Sequence, residues 1–516
     1  STHSELMGPE LFRAGLSISQ ALDKQFGKST IAAKMTDVPG HTRAIVPLLA
    51  EAGIKLIHIG VNPHSSAPNV PPVFIWRNSD GTEVIVVYQD GGYGDLTNIK
   101  GHPSALAFAH TSDNVGPHTS TQVDDIFNTL QAKYPTAPIQ GSTLNEFAHE
   151  LVNSDIQLPV ITQEIGDTWI HGAASDPTKI RRFRELSRVH RELLNDGTAK
   201  TLGRAFYQFQ AGLMMIPEHT WGLSSRDYLD DFSKYNKADF HNARKYENFQ
   251  SMEASWLEQR QYLEKSLAAI KTFTVGADIK RRLANTEPKL PDLSGYRVFK
   301  ENTYVVQTTH YNVQLDPNNG SIIGLREKAS GRKWAGPDNP LGKLTYEVFS
   351  QADYDKYHEQ YIYKGKRSQP LNLKEPCSYL NTAAAVNSSH LRCSPTVIDV
   401  WVRNSTLSED ILIELGAPLM TVEQFGCPAQ FFLELSFPKT GKGMSLTLQW
   451  FDKPASRIPE AIWFAFSPKV ISPDGWKMDK MGQQISPFEV LDDGNKKLHA
   501  VLDSVNYSHN DGELII

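Results

Sequence analysis

Asp37 and His41 lie in IAAKMTDVPGHT, residues 31–42, where an apolar run stops at an acid and a Val-Pro-Gly turn delivers a histidine. A carboxylate and an imidazole placed where a strand ends can serve as nucleophile, base or metal donor. Further clusters of this kind follow. His110, Asp113 and Asn114 come directly after the apolar LAFA. Glu164, Asp167, Trp169 and His171 follow PVIT in EIGDTWIHG, and Glu218, His219 and Trp221 form PEHTW. Two carboxylates brought from separate strand ends to one mouth meet the needs of glycosidic bond cleavage. One acts as nucleophile or base, and the other protonates the leaving oxygen. Tryptophans among acids suit sugars, whose ring faces stack on indoles while their hydroxyls take polar partners. Asp and His drawn from distant segments also form a mixed oxygen and nitrogen donor set for a divalent metal.

Each cluster has a plain structural use as well. Asp37 could cap the helix that follows it, and Asp113 could serve the Asn-Val-Gly turn. His219 could be a satisfied histidine beside a broken helix, while Glu164 and Asp167 could accept backbone amides in a tight loop. Their recurrence at strand ends favours a cleft.

The elements that must position these residues can be read from periodicity. After His41, RAIVPLLAEAGI carries apolar residues at helical spacing and closes on Gly53, and LIHIGV reads as a buried strand. Strand, polar turn, helix, strand is the parallel α/β unit, with functional residues at the C-terminal ends of its strands. EVIVVYQ and ALAFAHTSDN read as further strand runs, and VFIWRNSDGTEVIVVY as a hairpin turning at Ser-Asp-Gly. QVDDIFNTLQAKY and STLNEFAHELVN read as helices. Residues 1–172 are therefore expected to form an incomplete α/β barrel or open parallel sheet.

From Asp176 the pattern changes to long amphipathic helices. PTKIRRFRELSRVHRELLND is one, and ADFHNARKYENFQSMEASWLEQRQYLEKSLAAIK is a second with a local break. Between them Pro217 interrupts an apolar helix just before His219. A helical bundle is expected over residues 173–286. TEPKLPDLSGY reads as a linker. Short alternating strands such as YNVQLD, SIIGLREK, VIDVWVR, ILIELG and QFFLELSF then predict an antiparallel β-sandwich over 287–516. The fold class is multidomain, α/β plus α plus β.

A chain of 516 residues carries two to four domains, and its 40% hydrophobic content is ample for large cores. Lys+Arg 52 against Asp+Glu 58, with no long basic run, argues against nucleic acid as a partner. No apolar stretch is long enough for a membrane-spanning helix. Cys377, Cys393 and Cys427 form no CxxC and leave one unpaired, which suggests neither a disulfide framework nor a zinc finger. Sequons at Asn319, Asn387, Asn404 and Asn506 do not establish secretion, and the compartment stays open. The chain opens on Ser1 and ends on the strand-like GELII, the pattern expected of a fragment truncated at both ends.

The order barrel, helical bundle, β-sandwich resembles the glycoside hydrolase family 38, or α-mannosidase, superfamily. More closely, it resembles a mannosidase-like branch known as a domain of unknown function. KMTDVPGHT is similar to the family's segment around its catalytic aspartate, where Asp-Pro-Phe-Gly-His-Ser is typical. EIGDTWIHGAASDPTKIRRFRE resembles the segment leading from the barrel into the helices, PEHTWGLSSRDY the helical-domain metal motif, and NNGSIIGLREKASGRKW the entry strand of the sandwich.

The resemblance implies that Asp37 is both nucleophile and metal ligand and that His219 is a second ligand of a divalent ion, zinc. It implies Asp113 as acid/base and Glu5, in THSEL, as an acid near the sugar. His41, His110, Trp169, His171 and Trp221 complete the candidate carbohydrate contacts. The family takes two more ligands from a His-X-Asp motif on its first barrel strand, which would precede Ser1. Where the family follows its metal-binding His with an Asp, this chain has Thr220 and Trp221, and Val38 replaces the usual Pro, with Pro39 one place later. The implied activity is a metal-dependent retaining α-glycosidase, mannosidase-like, acting on oligosaccharides or glycoconjugates. A metal-dependent carbohydrate deacetylase and a non-catalytic carbohydrate-binding protein are the alternatives. Without the first strand, the chain as given is expected to be inactive.

Overall fold

LIHIGV and EVIVVYQ are almost unbroken apolar runs, the pattern of strands covered on both faces. The computed structural model describes residues 1–62, 67–90, 92–111, 115–166, 169–300, 303–361, 388–492, 494 and 496–516. In it these runs form the middle of the first sheet. The strands are β1 (Ala32–Asp37), β2 (Leu56–Val61), β3 (Val73–Arg77), β4 (Glu83–Gln89) and β5 (Val160–Ile161), in the order β1-β2-β4-β3-β5. β1, β2 and β4 are parallel. β3 runs against β4 through the Asn78–Gly81 turn, the hairpin expected from Ser-Asp-Gly. That connection is too short for a crossover, so the sheet is mixed rather than all parallel. Every residue of β2 is buried, whereas β1 is a half-covered edge.

In ALAFAHTSDN the described residues 105–111 do not form a strand. Their one ladder contact among the described residues is the bridge from Leu106 to Thr97, and Ala105 and Ala107 are exposed. Phe108 packs on the His58 ring, 4.3 Å between centroids, and against Gly94. The apolar run thus caps one face of the sheet instead of joining it.

Helices α1 (Pro9–Phe26) and α2 (Ile45–Glu51) flank β1 in sequence. α3 (Ser120–Lys133) and α4 (Leu144–Val152) each open on a capping box, at Thr119 and Thr143. The helical stretch then begins with α5 (Pro177–Asn195), whose first turn is capped by Asp176. It continues through α6 (Thr198–Leu202), α7 (Arg204–Met214), α8 (Lys237–Ala243), α9 (Glu247–Ile270) and α10 (Thr274–Thr286). The local break expected in the second long helical run falls between α8 and α9. These helices share one core with the sheet: Phe183, Phe209 and Leu263 cluster with Ile57, Ile59 and Trp76.

The remainder is antiparallel. A seven-stranded sheet is organised on Leu341–Val348 and a five-stranded one on Ser408–Gly416 and Gln430–Pro438, counted among the described residues. Val313, Leu344 and Tyr346 of the first share a core with Ile411, Ile413, Phe431 and Leu433 of the second. A four-stranded sheet follows, made of Trp476–Lys480, Gln483–Ile485, Val505–His509 and Gly512–Ile515. It touches both cores, since Met481 and Ile485 belong to the first and Tyr507 to the second. Cys393 and Cys427 are free thiols, and Cys377 and Asn387 lie outside the described residues. Among the described residues no helix is long and apolar enough to cross a membrane.

Close packing of α7 on α9 depends on Gly212. A Cβ there would stand 2.1 Å from Ser266 Oγ and 2.6 Å from the Tyr262 carbonyl. Alanine in a helix gains about 1 kcal/mol over glycine, but overpacking against a backbone carbonyl costs about 1–3 kcal/mol or more. Gly212→Ala is expected to lower the denaturation midpoint. A stabilised variant would contradict the α7–α9 contact.

Candidate functional site

Asp37 is the last residue of β1 and lies opposite Val61 of β2. Its φ of 76° is left-handed, a conformation that Asp tolerates better than most side chains. The turn is held by its neighbours. Asn62 donates its backbone N–H to the Asp37 carbonyl at 2.9 Å and its side-chain amide to Asp37 Oδ1 at 3.2 Å. The Tyr88 hydroxyl, from β4, donates to the Pro39 carbonyl at 2.5 Å. Asp37 caps nothing: α2 begins eight residues on, with Ala44 at its N-cap and no side-chain cap.

The other oxygen, Asp37 Oδ2, meets His219 Nε2 at 2.6 Å, and His219 Nδ1 meets Glu218 Oε1 at 2.5 Å. Glu218 Oε2 accepts the Thr220 N–H at 2.8 Å. His219 is available because α7 stops at Met214 and Pro217 lies beyond it in a bend. The N-terminal residues tie that bend to the strand. Thr2 bridges Glu218, His3 N–H donates to the Pro217 carbonyl, and Ser1 Oγ accepts the Thr36 N–H. Side-chain exposures of 15% for Asp37 and 22% for His219 leave the pair open to an approaching ligand.

Burial favours the neutral forms of this trio, and the contacts reverse it. Burial raises the Asp37 carboxyl, but hydrogen bonds from His219, Tyr93 and Asn62 outweigh it and hold the group below its usual range. Burial likewise opposes charge on His219, yet its bonds to Asp37 and Glu218 push the imidazole up to about 9. Against the upward effect of burial, His219 and the Thr220 N–H bring Glu218 down to about 2. Without a metal the three form an imidazolium between two carboxylates.

Aromatic rings wall the pair. Trp169, itself left-handed at φ 61°, stacks on His219 at 6.2 Å and 22°, and His171 meets Trp169 edge-on at 6.0 Å. Trp221 donates Nε1–H to His3 Nε2 at 2.8 Å, and Lys179 Nζ sits 4.6 Å over its ring. Asp37, His219, Trp169 and His171 are thus brought together, with Trp221 two residues beyond His219.

The other candidates are placed differently. His110 stands near Tyr93 at 6.3 Å, its Nε2 3.3 Å from the Gly94 carbonyl. His41 is fully enclosed, with Nδ1 3.3 Å from Ser4 Oγ, and burial pushes it down to about 3, so it is neutral. Glu5 is engaged by Lys480 Nζ at 2.6 Å and by the Ala500 N–H at 2.8 Å. Glu164 accepts the Arg43 N–H at 2.9 Å and the Thr42 hydroxyl at 3.0 Å, the backbone-anchoring use open to it from sequence. Asp113 and Asp167 lie outside the described residues.

The sequence reading left out Asn62, Tyr93, His3 and Lys179. Asn62 carries the same signal as Asp37, a polar residue where an apolar strand stops. His3 and Lys179 carry none, because their contacts come from segments far along the chain.

A divalent ion can be tested against these donors. Asp37 and His219 supply an oxygen and a nitrogen on facing atoms, and Glu218 on the far imidazole nitrogen is the carboxylate that a metal-binding histidine commonly has behind it. The donors fit such an ion as far as these two ligands. Among the described residues no group of three His, Cys, Asp or Glu gathers.

Tyr93 reaches Asp37 only because β2 has a glycine beneath the crossing chain. A Cβ on Gly60 would lie 2.9 Å from the Tyr93 carbonyl and 3.0 Å from that of Gly92. Gly60→Ala is expected to cost about 1–3 kcal/mol and to move Tyr93 away. With one hydrogen bond to its charged form lost, the Asp37 carboxyl should titrate at higher pH by carbon-13 NMR. An unmoved titration would show that Gly60 does not govern the contact.

The family model described as a domain of unknown function (DUF5054) matches residues 173–445. No curated protein matches the chain. Among solved structures, an alpha-mannosidase from Enterococcus faecalis V583 is similar at a TM-score of 0.52 and 9% identity, over 98% of this chain and 70% of that one. At that identity the likeness is one of fold. A 4-alpha-glucanotransferase from Thermococcus litoralis aligns over 91% of this chain and 85% of that one, but at 10% identity and a TM-score of 0.26 it carries no argument. The mixed α/β, multidomain architecture with several antiparallel sheets is thus shared with an α-mannosidase. Since the matched residues make up more than half of the chain, it belongs to the DUF5054 family.

Proposed function

We propose that this chain is a carbohydrate-active enzyme, a metal-dependent retaining α-glycosidase of the mannosidase type. The observation that carries the reading is the strand-end carboxylate of Asp37, bonded to His219 at 2.6 Å beneath the Trp169 ring. The likeness in fold to an α-mannosidase supports it. The finer layout belongs to the same proposal: a partial barrel over 1–172, a helical bundle over 173–286 and a β-sandwich over 287–516.

In this mechanism Asp37 attacks the anomeric carbon. Its hydrogen bonds to His219, Tyr93 and Asn62 keep it ionised and fix its direction. Asp113, known from its place in sequence, protonates the leaving oxygen and later takes a proton from the water that releases the sugar. Trp169 and Trp221 receive the apolar faces of the sugar. Asp37 and His219 would hold the divalent ion, zinc by the family resemblance, with Glu218 orienting the imidazole. The ion would supply electrostatic hold on sugar hydroxyls as charge develops on the ring.

Asp37→Asn in the full natural protein is expected to lower turnover of aryl α-mannosides at least a thousandfold, on the order of losses seen for other nucleophiles. Chelation should abolish turnover and added zinc restore it. An active Asp37→Asn variant would remove the nucleophile assignment, and turnover insensitive to chelator would remove the metal. Asp113→Ala should behave differently. Substrates with good leaving groups need little proton donation, so they should lose far less rate than natural glycosides. Equal losses on both would refute the acid/base role.

A further inference from the structure

We propose that Lys480 is a positioning residue: through a buried ionic junction it docks the C-terminal sheet onto the loops that carry Asp37 and Trp169. The C-terminal segment would then be a working part of the site.

Lys480 ends the strand Trp476–Lys480, with a side chain only 1% exposed. Its Nζ donates to Glu5 Oε1 at 2.6 Å and to His499 Nδ1 at 2.9 Å, and stands 4.0 Å from Glu164 Oε2. The side chains of Glu5 and Glu164 are 3% and 1% exposed. Each carboxylate reaches outward from the lysine. Glu5 Oε2 accepts the Ala500 N–H, and Glu164 Oε1 accepts the Thr42 hydroxyl and the Arg43 N–H. Arg43 in turn donates to Glu489 at 2.8 Å and to the Thr162 carbonyl. Ser4 Oγ accepts the Thr42 N–H at 3.2 Å. Backbone bonds complete the docking, from Glu164 N–H to the Glu489 carbonyl and from Leu491 N–H to the Glu164 carbonyl.

Glu5, His499 and Glu164, from three distant stretches of chain, therefore face one ammonium, and through Glu164 it is tied to two loops that lead into the site. Thr42 and Arg43 follow Asp37 in the loop entering α2, and Glu164 precedes Trp169 in the loop after β5. Two buried carboxylates facing one cation are tolerated only while the cation is present. Burial pushes the Glu164 carboxyl up, Lys480 draws it down and Glu5 raises it again, leaving it at about 7. Removing Lys480 leaves two buried carboxyls facing each other, so that at a pH where both stay ionised the two loops are driven apart.

The catalytic half of this inference rests on the glycosidase reading, and the docking half does not. Amide hydrogen exchange on the full natural protein reads the docking without substrate, and kcat and KM read its effect. Lys480→Met should raise exchange over residues 38–44 and 162–166 and lower kcat by about ten- to a hundredfold, with less change in KM. Lys480→Met with Glu164→Gln removes one of the stranded charges and should restore much of the protection and rate, which a packing role alone would not produce. Arg191→Met, which cuts an exposed pair to Asp503 with side chains 30% and 38% exposed, should change neither readout.

Native exchange in both loops of Lys480→Met would overturn the proposal, as would a double variant no better than the single one. If Lys480→Met does not fold, the double variant decides. Folded with native protection, it supports the junction; unfolded, it reduces Lys480 to core packing and refutes the proposal. A wild-type protein that turns over no glycoside refutes the glycosidase reading, while exchange still decides the docking.

Discussion

The contact between Asp37 and His219 spans 182 residues of sequence and joins the open edge of the first sheet to the bend beyond α7. Much else in this region follows from holding it. A carboxylate on a left-handed residue at an edge strand has few reasons to keep one direction. Here Asn62 fixes one of its oxygens and His219 the other. Charge supplies the rest, because an imidazolium between Asp37 and Glu218 binds both sides while the trio stays partly open to solvent. A divalent ion with Asp37 and His219 as ligands would exchange with the proton on Nε2 and use the same preorganised atoms.

Support for the trio comes from places that contribute no chemistry. Gly60 lets residues 92–93 cross β2 closely enough for Tyr93 to reach Asp37, and Tyr88 pins the Pro39 carbonyl in the loop beyond it. On the opposite side, Thr2 and His3 hold the bend that carries Glu218 and His219. Trp169 then has a rigid imidazole on which to stack. The ionic contact thus also fixes one of the two rings against which the indole packs, the other being His171.

What could be read from sequence divides along the range of the forces involved. Asp37 at a strand end, the break at Pro217, the Ser-Asp-Gly hairpin and the start of α5 after Asp176 are all written in a few neighbouring residues, and each is found in place. ALAFAHTSDN has the composition of a strand, but composition does not say whether a sheet edge is free to receive it, and Phe108 finds His58 and Gly94 instead. Glu5 shows the same limit more sharply. Its type suits a sugar contact, whereas its partner Lys480 lies 475 residues away and nothing near Glu5 announces it. Buried charges choose partners by tertiary register, which local patterning does not encode.

The match to the DUF5054 family, residues 173–445, contains His219, Trp221 and Lys179 but neither Asp37 nor Lys480. The matched span therefore presents the imidazole side of the site, and the carboxylate side comes from the sheet that precedes it. Those two sides do not sit in separate cores, because Phe183, Phe209 and Leu263 pack in one cluster with Ile57, Ile59 and Trp76. The four-stranded C-terminal sheet adds a second tie, with Met481 and Ile485 in that core and Tyr507 in the core of the antiparallel sheets. Contacts this distant in sequence form only once most of the chain is in place. The geometry at Asp37 is accordingly a property of the assembled chain: a strand end and a helix break 182 residues apart must both be seated for the carboxylate and the imidazole to meet.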